Sequence, residues 1–192
     1  MKKLWVSVAG LVMLASAPAW GQAKNFEGLS VGMNVNATNS TLDISYPGFS
    51  GSTSASDASA SMQLQYNFVP SETLVLGVGL DLGLSQIKVG SLPGNDYKFK
   101  NLTSLYAVLG TPVSKDSLVY AKLSSNSLTA EDGGGSHDFN GYGFGLGFQN
   151  NLNKNLYWQL GYDQVNFSSY DPAGSSFKPK YSAFTLGLGY RF

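Results

Sequence analysis

The sequence predicts an all-β fold, namely an eight-stranded antiparallel up-and-down β-barrel that crosses a membrane with its strands. Three observations predict it. Apolar and polar residues alternate with period two along most of the 192-residue chain, which is the pattern of half-buried strands. The links between these segments are alternately long and short, as in transmembrane barrels. Charged residues make up only 12% of the chain, about half the usual share of a soluble domain.

The first segment, residues 1–23, shows the three parts of a secretory signal peptide: a basic start, an apolar run, and small residues before a cleavage point. Cleavage fits after Ala19 or after Ala23, and we favour Ala23 because the new end is then the polar Lys24. The apolar run is shorter than the ~20 residues that a spanning helix needs, which argues against an uncleaved anchor. Residues 24–192 are therefore expected to form the barrel domain.

Composition excludes several classes of site. The chain has no cysteine, so it can form neither a disulfide nor a thiolate metal site. Its formal net charge is zero, and it lacks the basic patch that a nucleic-acid partner requires. We expect no nucleic-acid partner, no cofactor and no bound metal. Without a long apolar run beyond the signal peptide, the chain can cross a membrane only as a closed barrel, because open strands would leave backbone groups unpaired in hydrocarbon.

Six segments show clean alternation. In the first of them, Leu29, Val31 and Met33 alternate with Ser30 and Gly32. The others repeat this pattern, so each predicts a strand with one apolar and one polar or glycine-rich face. The six segments are 29–37, 60–68, 74–84, 142–148, 156–162 and 184–192.

Two further strands are predicted near 98–110 and 117–126, where the pattern is less regular. In the second of these, Val119 and Leu123 lie on the face opposite Lys122. In the first, the facing stays open because two apolar sets compete for the same face: Leu102, Tyr106 and Val108 against Leu105, Ala107 and Leu109.

The expected connections fall into two classes. An even number of strands places both termini on the side of the short turns. Aromatic residues gather at the strand ends on that side, as expected of a membrane interface: Tyr66, Phe68, Phe148, Trp158, Tyr190 and Phe192. The long connections are expected at 39–57, 88–97, 127–139 and 168–180, and the short ones at 69–72, 111–116 and 150–155.

Alternation alone does not say which face lies outside, so a soluble barrel of the lipocalin type is the alternative. The polar face is rich in Gly, Ser, Thr and Asn, which suits the crowded interior of an eight-stranded barrel. A soluble exterior would carry more Lys and Glu. The last strand also runs to the terminal Phe192. These features favour an apolar face turned toward lipid.

The final strand, 181–192, ends on Phe192 and carries Leu188 and Tyr190 on the same face. It resembles the C-terminal signal by which bacterial outer-membrane proteins are recognised by their insertion machinery. The chain from 26 to 192 resembles the small outer-membrane β-barrel family, which includes the OmpX-like and opacity-like surface proteins and the membrane domain of OmpA. The resemblance implies an outer-membrane location, contact with outer-membrane lipid, and assembly through these three C-terminal side chains.

Three charged residues fall on the predicted inner face: Asp81, Lys122 and Asp163. A lysine facing lipid near the bilayer midplane costs about 2–4 kcal/mol, whereas opposite charges inside a barrel can pair. We therefore predict a structural polar cluster that fills the lumen. The alternative is a proton or ion path.

Two motifs invite a catalytic or nucleotide-binding interpretation. Ser136, His137 and Asp138 are adjacent in a glycine-rich stretch, but a nucleophile and its base must be oriented across space by a rigid scaffold. The four alternating glycines of 141–147 keep period two, unlike a phosphate-binding loop between a strand and a helix. We therefore predict no enzymatic activity.

Acidic residues in the outer connections are candidates for a divalent cation: Glu131, Asp132, Asp138 and Asp171. Their spacing matches no calcium loop, so we interpret them as solvated. The expected function is a surface role, in envelope structure, adhesion or contact with a host or surface ligand, carried by the outer loops. The alternatives are an outer-membrane lipid-modifying enzyme, similar to a lipid A deacylase, and a narrow channel.

Overall fold

The computed structural model describes residues 22–46, 48–92, 95–132, 135–171 and 176–192. Most of the predicted signal peptide lies outside these ranges, so its cleavage stays a prediction. No helix in the described ranges has the length and apolar character needed to cross a membrane. Within them, one 3₁₀ turn, Ala23–Phe26, is followed by β1 (Gly28–Tyr46), β2 (Phe49–Ser71), β3 (Leu74–Gly83), β4 (Ile87–Leu92), β5 (Asn95–Pro112), β6 (Ser117–Asp132), β7 (Gly135–Asn151), β8 (Leu156–Phe167) and β9 (Ser176–Arg191).

The strands form a closed antiparallel ring. Strands adjacent in sequence pair with each other, except β3 and β4, and β9 returns to pair with β1 from Ser30 opposite Arg191 to Ser45 opposite Ser176. Both β3 and β4 pair with β5, so they are two halves of one strand that is interrupted at 84–86. The nine segments therefore make a ring of eight strands, which confirms the predicted all-β up-and-down barrel.

One end of the ring, which we call the lower end, holds the short turns at 72–73, 113–116 and 152–155. Above it, apolar side chains point outward and polar ones inward. On β1, for example, Met33 is 61% exposed whereas Asn34 is 4% exposed. We call the outward set the apolar belt, and its most exposed members are Leu29, Val31, Met33, Val35, Met62, Leu64, Tyr66, Phe68, Leu76, Val78, Leu84, Leu105, Leu109, Leu123, Tyr142, Phe144, Leu146, Leu156, Leu160, Tyr162, Phe184, Leu186, Leu188, Tyr190 and Phe192.

Above the belt the alternation is reversed, so that polar residues face outward and apolar residues face inward. On β1 the outward residues become Asn39, Thr41 and Asp43, while Leu42 and Ile44 are buried inside. We call this part of the ring the upper extension. Its interior is a closed apolar core, in contrast to the polar interior below it: Leu42, Ile44, Ile87, Phe99, Leu128, Phe139, Val165, Phe167, Tyr181 and Ala183.

The upper extension corrects the predicted long connections. The stretches 39–57, 88–97 and 127–139 are mostly strand, and β9 already begins at Ser176 within the stretch 168–180. Their outward residues are mostly small or polar, which resembles loop composition, but on β1, β6 and β7 they alternate with inward apolar residues such as Leu42, Leu128 and Phe139. His137 likewise lies on β7 rather than on a loop.

The structure also resolves the facing of β5. Leu105 and Leu109 point outward into the belt, and Tyr106 and Val108 are buried inside. A bulge between Lys100 and Thr103 shifts the register against β6. Asn101 adopts a positive φ of 52° within this bulge, a conformation that asparagine tolerates better than most residues. An extra residue in a strand shifts the alternation beyond it, so Phe99 and Tyr106 both face inward although one number is odd and the other even. The facing at 102–109 stayed open in the sequence because both faces of β5 carry apolar residues there.

Candidate functional site

The middle of the lumen contains a polar cavity of about 70 Å³. Because a water molecule needs about 10–15 Å³ of such space, the cavity holds only a few. All three predicted lumen residues, Asp81, Lys122 and Asp163, line it. They come from β3, β6 and β8, respectively.

The three charges form a pair and a separate carboxylate. Lys122 Nζ lies 2.6 Å from Asp163 Oδ2, and the two side chains are only 20% and 16% exposed. Lys122 Nζ also lies 5.2 Å from the centre of the Tyr106 ring. Asp81 instead accepts a hydrogen bond from Asn34 Nδ2 at 3.1 Å. Their role as a lumen-filling cluster remains a prediction.

A network of side-chain amides occupies the wall around these charges. Gln159 Nε2 donates to Gln63 Oε1 at 2.6 Å and to Asn34 Oδ1 at 2.9 Å. Gln63 Nε2 donates to Gln65 Oε1 at 2.8 Å, and Gln65 Nε2 donates to Asn67 Oδ1 at 2.7 Å. The sequence does not mark these residues as a group, although their period-two spacing on β1, β2 and β8 places them on the inner face.

Three tyrosines fill the lumen by lying over glycines on the neighbouring strand. Tyr106 lies opposite Gly79, and a Cβ at Gly79 would fall on its ring. Tyr120 covers Gly147 and Tyr157 covers Gly189 in the same way. The alternating glycines therefore leave room for inward aromatic rings, which accounts for the glycine-rich inner face without a nucleotide site.

The lower end of the lumen is closed by the 3₁₀ turn Ala23–Phe26, which we call the lower plug. Phe26 is fully buried, and its carbonyl oxygen accepts a hydrogen bond from Asn67 Nδ2 at 2.9 Å. Arg191 Nη1 donates to the carbonyl oxygen of Asn25 at 2.5 Å. The Arg191 guanidinium also lies 5.6 Å from the Phe26 ring centre and 5.2 Å from that of Tyr157. These contacts anchor the plug to β2 and β9.

On the upper side of the cavity, the interruption between β3 and β4 leaves a seam in the barrel wall. In the described part of the chain, no backbone ladder joins β4 to β2. Side chains substitute for it: Ala60 N donates to Ser85 Oγ at 3.0 Å, and Lys88 N donates to Asp57 Oδ2 at 3.0 Å. Hydrogen bonds from the backbone N–H groups of Lys88 and Ala58 lower the pKa of Asp57.

Near the tips of the upper extension, residues that are adjacent in the sequence contact different partners. His137 is exposed and stacks on Tyr170, with ring centres 4.4 Å apart. Asp138 Oδ1 instead accepts a hydrogen bond from Thr129 Oγ1 at 2.8 Å. Asp171 accepts one from Ser169, Glu131 forms an ion pair with Lys100, and the Asp132 side chain lies outside the described residues. In the described ranges, no three acidic or histidine residues are grouped closely enough to hold a metal ion.

The sequence matches one protein family along almost its whole length. Residues 7–192 match the outer membrane protein β-barrel domain. The chain belongs to this family. The apolar belt therefore faces the lipid of a bacterial outer membrane, and the short-turn lower end is the periplasmic one. No curated protein sequence matches the chain significantly.

Solved structures of small barrels are similar to this chain. The attachment invasion locus protein Ail of Yersinia pestis, in complex with the heparin analogue sucrose octasulfate, is 16% identical with a TM-score of 0.50, over 86% of this chain and 99% of that chain. Neisserial surface protein A is 16% identical with a TM-score of 0.48, over 83% and 97%. OprG from Pseudomonas aeruginosa is 16% identical with a TM-score of 0.46, over 86% and 96%. The likeness to Ail shows a shared fold.

Proposed function

We propose that this outer-membrane barrel is a non-enzymatic surface-interaction protein that holds its tips above the outer leaflet. The proposal rests on the reversed alternation above the apolar belt, where polar residues face outward and apolar residues face inward. Outside the membrane a barrel strand gains nothing from an apolar outer face, whereas an apolar inner core makes the extension rigid. A rigid scaffold that presents short loops is suited to binding a partner.

The height of the extension supports this role. On β1 the strand continues from Ala37, the last outward apolar residue, to Tyr46. That is about 30 Å of strand, or roughly 20 Å of height at the usual barrel tilt. The tips are therefore held beyond the lipid headgroups, where they can contact another cell or an extracellular surface.

Shortening the extension tests the proposal. In bacteria that express the protein, residues 43–52 are replaced by an Asn-Gly turn, which joins the paired residues Leu42 and Thr53. We expect adherence to epithelial monolayers and matrix-coated plates to fall to the level of cells without the protein. A control variant, Ser52→Thr with Ser54→Thr, keeps the height and should adhere normally. Unchanged adherence of the shortened variant, with normal outer-membrane levels, would contradict the proposal.

The same cells distinguish the alternative functions. A change in lipid A mass that depends on expression would point to a lipid-modifying enzyme. Steady conductance in planar bilayers would point to a channel. The lumen does not support a channel, because apolar layers lie above and below its polar cavity. The tips do not support a catalytic triad, because His137 stacks on Tyr170 whereas Asp138 is bonded to Thr129.

We also propose that Leu188, Tyr190 and Phe192 form the assembly signal for the insertion machinery. Leu188 and Tyr190 point outward on β9, the exposed Phe192 directly follows its last residue, and the rings of Tyr190 and Phe192 are 5.1 Å apart. Phe192→Ala should reduce the heat-modifiable fraction in the outer membrane and increase degraded periplasmic protein. Phe184→Ala, an equally exposed belt residue on the same strand, is the matched control. Equal effects of both variants would assign Phe192 an ordinary lipid contact.

A further inference from the structure

Three lysines converge on the outer face of the upper extension, beside the seam. Lys88 on β4 lies directly opposite Lys98 on β5. Lys100 is two residues further along the same strand, so it lies on the same face. We call these three residues the lysine patch.

The charges of the lysine patch are only partly compensated. Glu131 on β6 lies opposite Lys98 but forms its ion pair with Lys100. Asp57 binds the backbone N–H of Lys88. Among the side chains that the structure describes, neither Lys88 nor Lys98 forms an ion pair. Like charges in directly opposed positions on two strands destabilise the sheet, so an anion between them would be stabilising.

The lysine patch lies immediately above the apolar belt. Lys88 lies four residues after Leu84, which is the last exposed belt residue of its strand. The rest of the interruption at 84–86 and the first residue of β4 lie between them. On β5, the bulge and Thr103 separate Lys100 from the belt residue Leu105. These separations correspond to roughly 10 Å of height, and lipid headgroups extend about 5–7 Å beyond the hydrocarbon. Lysine side chains reach back toward that level while their stems cover apolar surface.

We propose that the lysine patch binds the phosphate of an outer-leaflet lipid headgroup, while the acyl chains of that lipid lie on the belt below. The ammonium groups of Lys88 and Lys98 contact the phosphate from both strands. Leu84 and Leu105 contact the lipid tails. The bound lipid covers the outer side of the seam between β2 and β4.

Native mass spectrometry of the refolded protein in detergent tests the proposal. The probes are diphosphoryl lipid A, lipid A without phosphate, and inorganic phosphate. The test variant is Lys88→Gln with Lys98→Gln. The control variant is Lys178→Gln with Lys180→Gln, which removes the same charge from the upper extension on β9.

We expect the wild-type protein and the control variant to retain diphosphoryl lipid A alike, and the test variant to retain at least about tenfold less. Lipid A without phosphate should bind all three proteins weakly and equally. Millimolar inorganic phosphate should compete only partly, because it lacks the tails. Equal retention by the test and control variants would overturn the proposal, as would a site that inorganic phosphate fills completely. Heat-modifiable migration confirms that each variant is folded.

Discussion

At the inner wall, Lys122 and Asp163 form an ion pair beside a cavity that has room for only a few water molecules. Removing one partner of such a pair leaves an uncompensated charge, which costs about 3–5 kcal/mol when burial is complete. Both side chains retain some exposure, so we expect Lys122→Met to lower the free energy of unfolding by about 2 kcal/mol.

The double variant Lys122→Met with Asp163→Asn removes both charges and should recover most of that loss. Urea unfolding in detergent, followed by tryptophan fluorescence, measures both values. If the single and double variants are equally unstable, the pair does not act as a unit.

A second prediction concerns the tyrosine over Gly79. An alanine there would place its Cβ on the Tyr106 ring, and the Tyr106 hydroxyl is held by a hydrogen bond to Gln65 Oε1 at 3.0 Å. Overpacking of this kind costs about 1–3 kcal/mol. In Gly161→Ala, by contrast, the nearest atom lies at 3.7 Å, so this control should be neutral. The same unfolding assay compares them, and equal stabilities would contradict the packing described for the lumen.

The third prediction at this scale is the pH dependence of the seam. Asp57 lies opposite Thr38 on β1, just above the belt. Because its folded pKa is below the unfolded value of 3.8, the stabilisation it provides is present above that value and is lost as pH falls through the folded pKa.

Hydrogen exchange measures this effect. As pH falls from 6 through the folded pKa of Asp57, the protection factor of the Lys88 amide should fall by about fivefold, which corresponds to a charge-assisted hydrogen bond discounted for exposure. Asp57→Asn should show the low value at every pH. A protection factor that is independent of pH in the wild-type protein would show that Asp57 does not hold the seam.

At the scale of elements, the sequence predicts the strands of the belt because a lipid-facing strand combines a strictly apolar face with a small or polar one. It does not reveal the upper extension, because the sign of the alternation changes near Ser40 and the outward serines of β2 have the composition of a loop. The bulge at Asn101 is missed for a related reason, because it shifts the facing of β5 without changing its composition. The interruption at 84–86 breaks the pairing with β2 but keeps the facing, so the alternation carries no sign of it.

The candidate site was predictable in part. Asp81, Lys122 and Asp163 stand out because charges are rare on the membrane-spanning strands. The amides and tyrosines around them are not distinctive in composition, and only the register of paired strands shows that Tyr106 lies over Gly79. The lower plug lies at the predicted cleavage region, where no alternation exists to indicate that Phe26 is buried.

The lower plug leads to a prediction about processing. Ala23 is fully buried, and its N–H donates to the carbonyl oxygen of Glu72 at 3.2 Å. Cleavage after Ala23, which the sequence alone favours, would remove these contacts and place a charged amino terminus in the plug. The packing favours cleavage after Ala19, so we expect N-terminal sequencing of the purified protein to begin at Trp20. A protein that begins at Lys24 would show that the plug forms without Ala23.

At the scale of the whole molecule, the lumen is divided into three layers along the barrel axis. The plug lies at the periplasmic end, the polar cavity with its ion pair lies in the middle, and the apolar core of the upper extension lies above. Outside, the belt faces lipid and the lysine patch lies at its upper border. In this arrangement the interior stabilises the barrel, and the outer surface and the tips are the parts that can contact other molecules.

The position of the membrane relative to β1 tests this arrangement most directly. Because the chain contains no cysteine, single cysteines at the outward residues Val31, Val35, Asn39 and Asp43 can be treated on intact cells with a membrane-impermeant maleimide. We expect no labelling at Val31 or Val35, slow labelling at Asn39, which lies at the level of the headgroups, and rapid labelling at Asp43. Labelling of Val31, or protection of Asp43, would contradict a lipid-facing belt with a water-exposed extension above it.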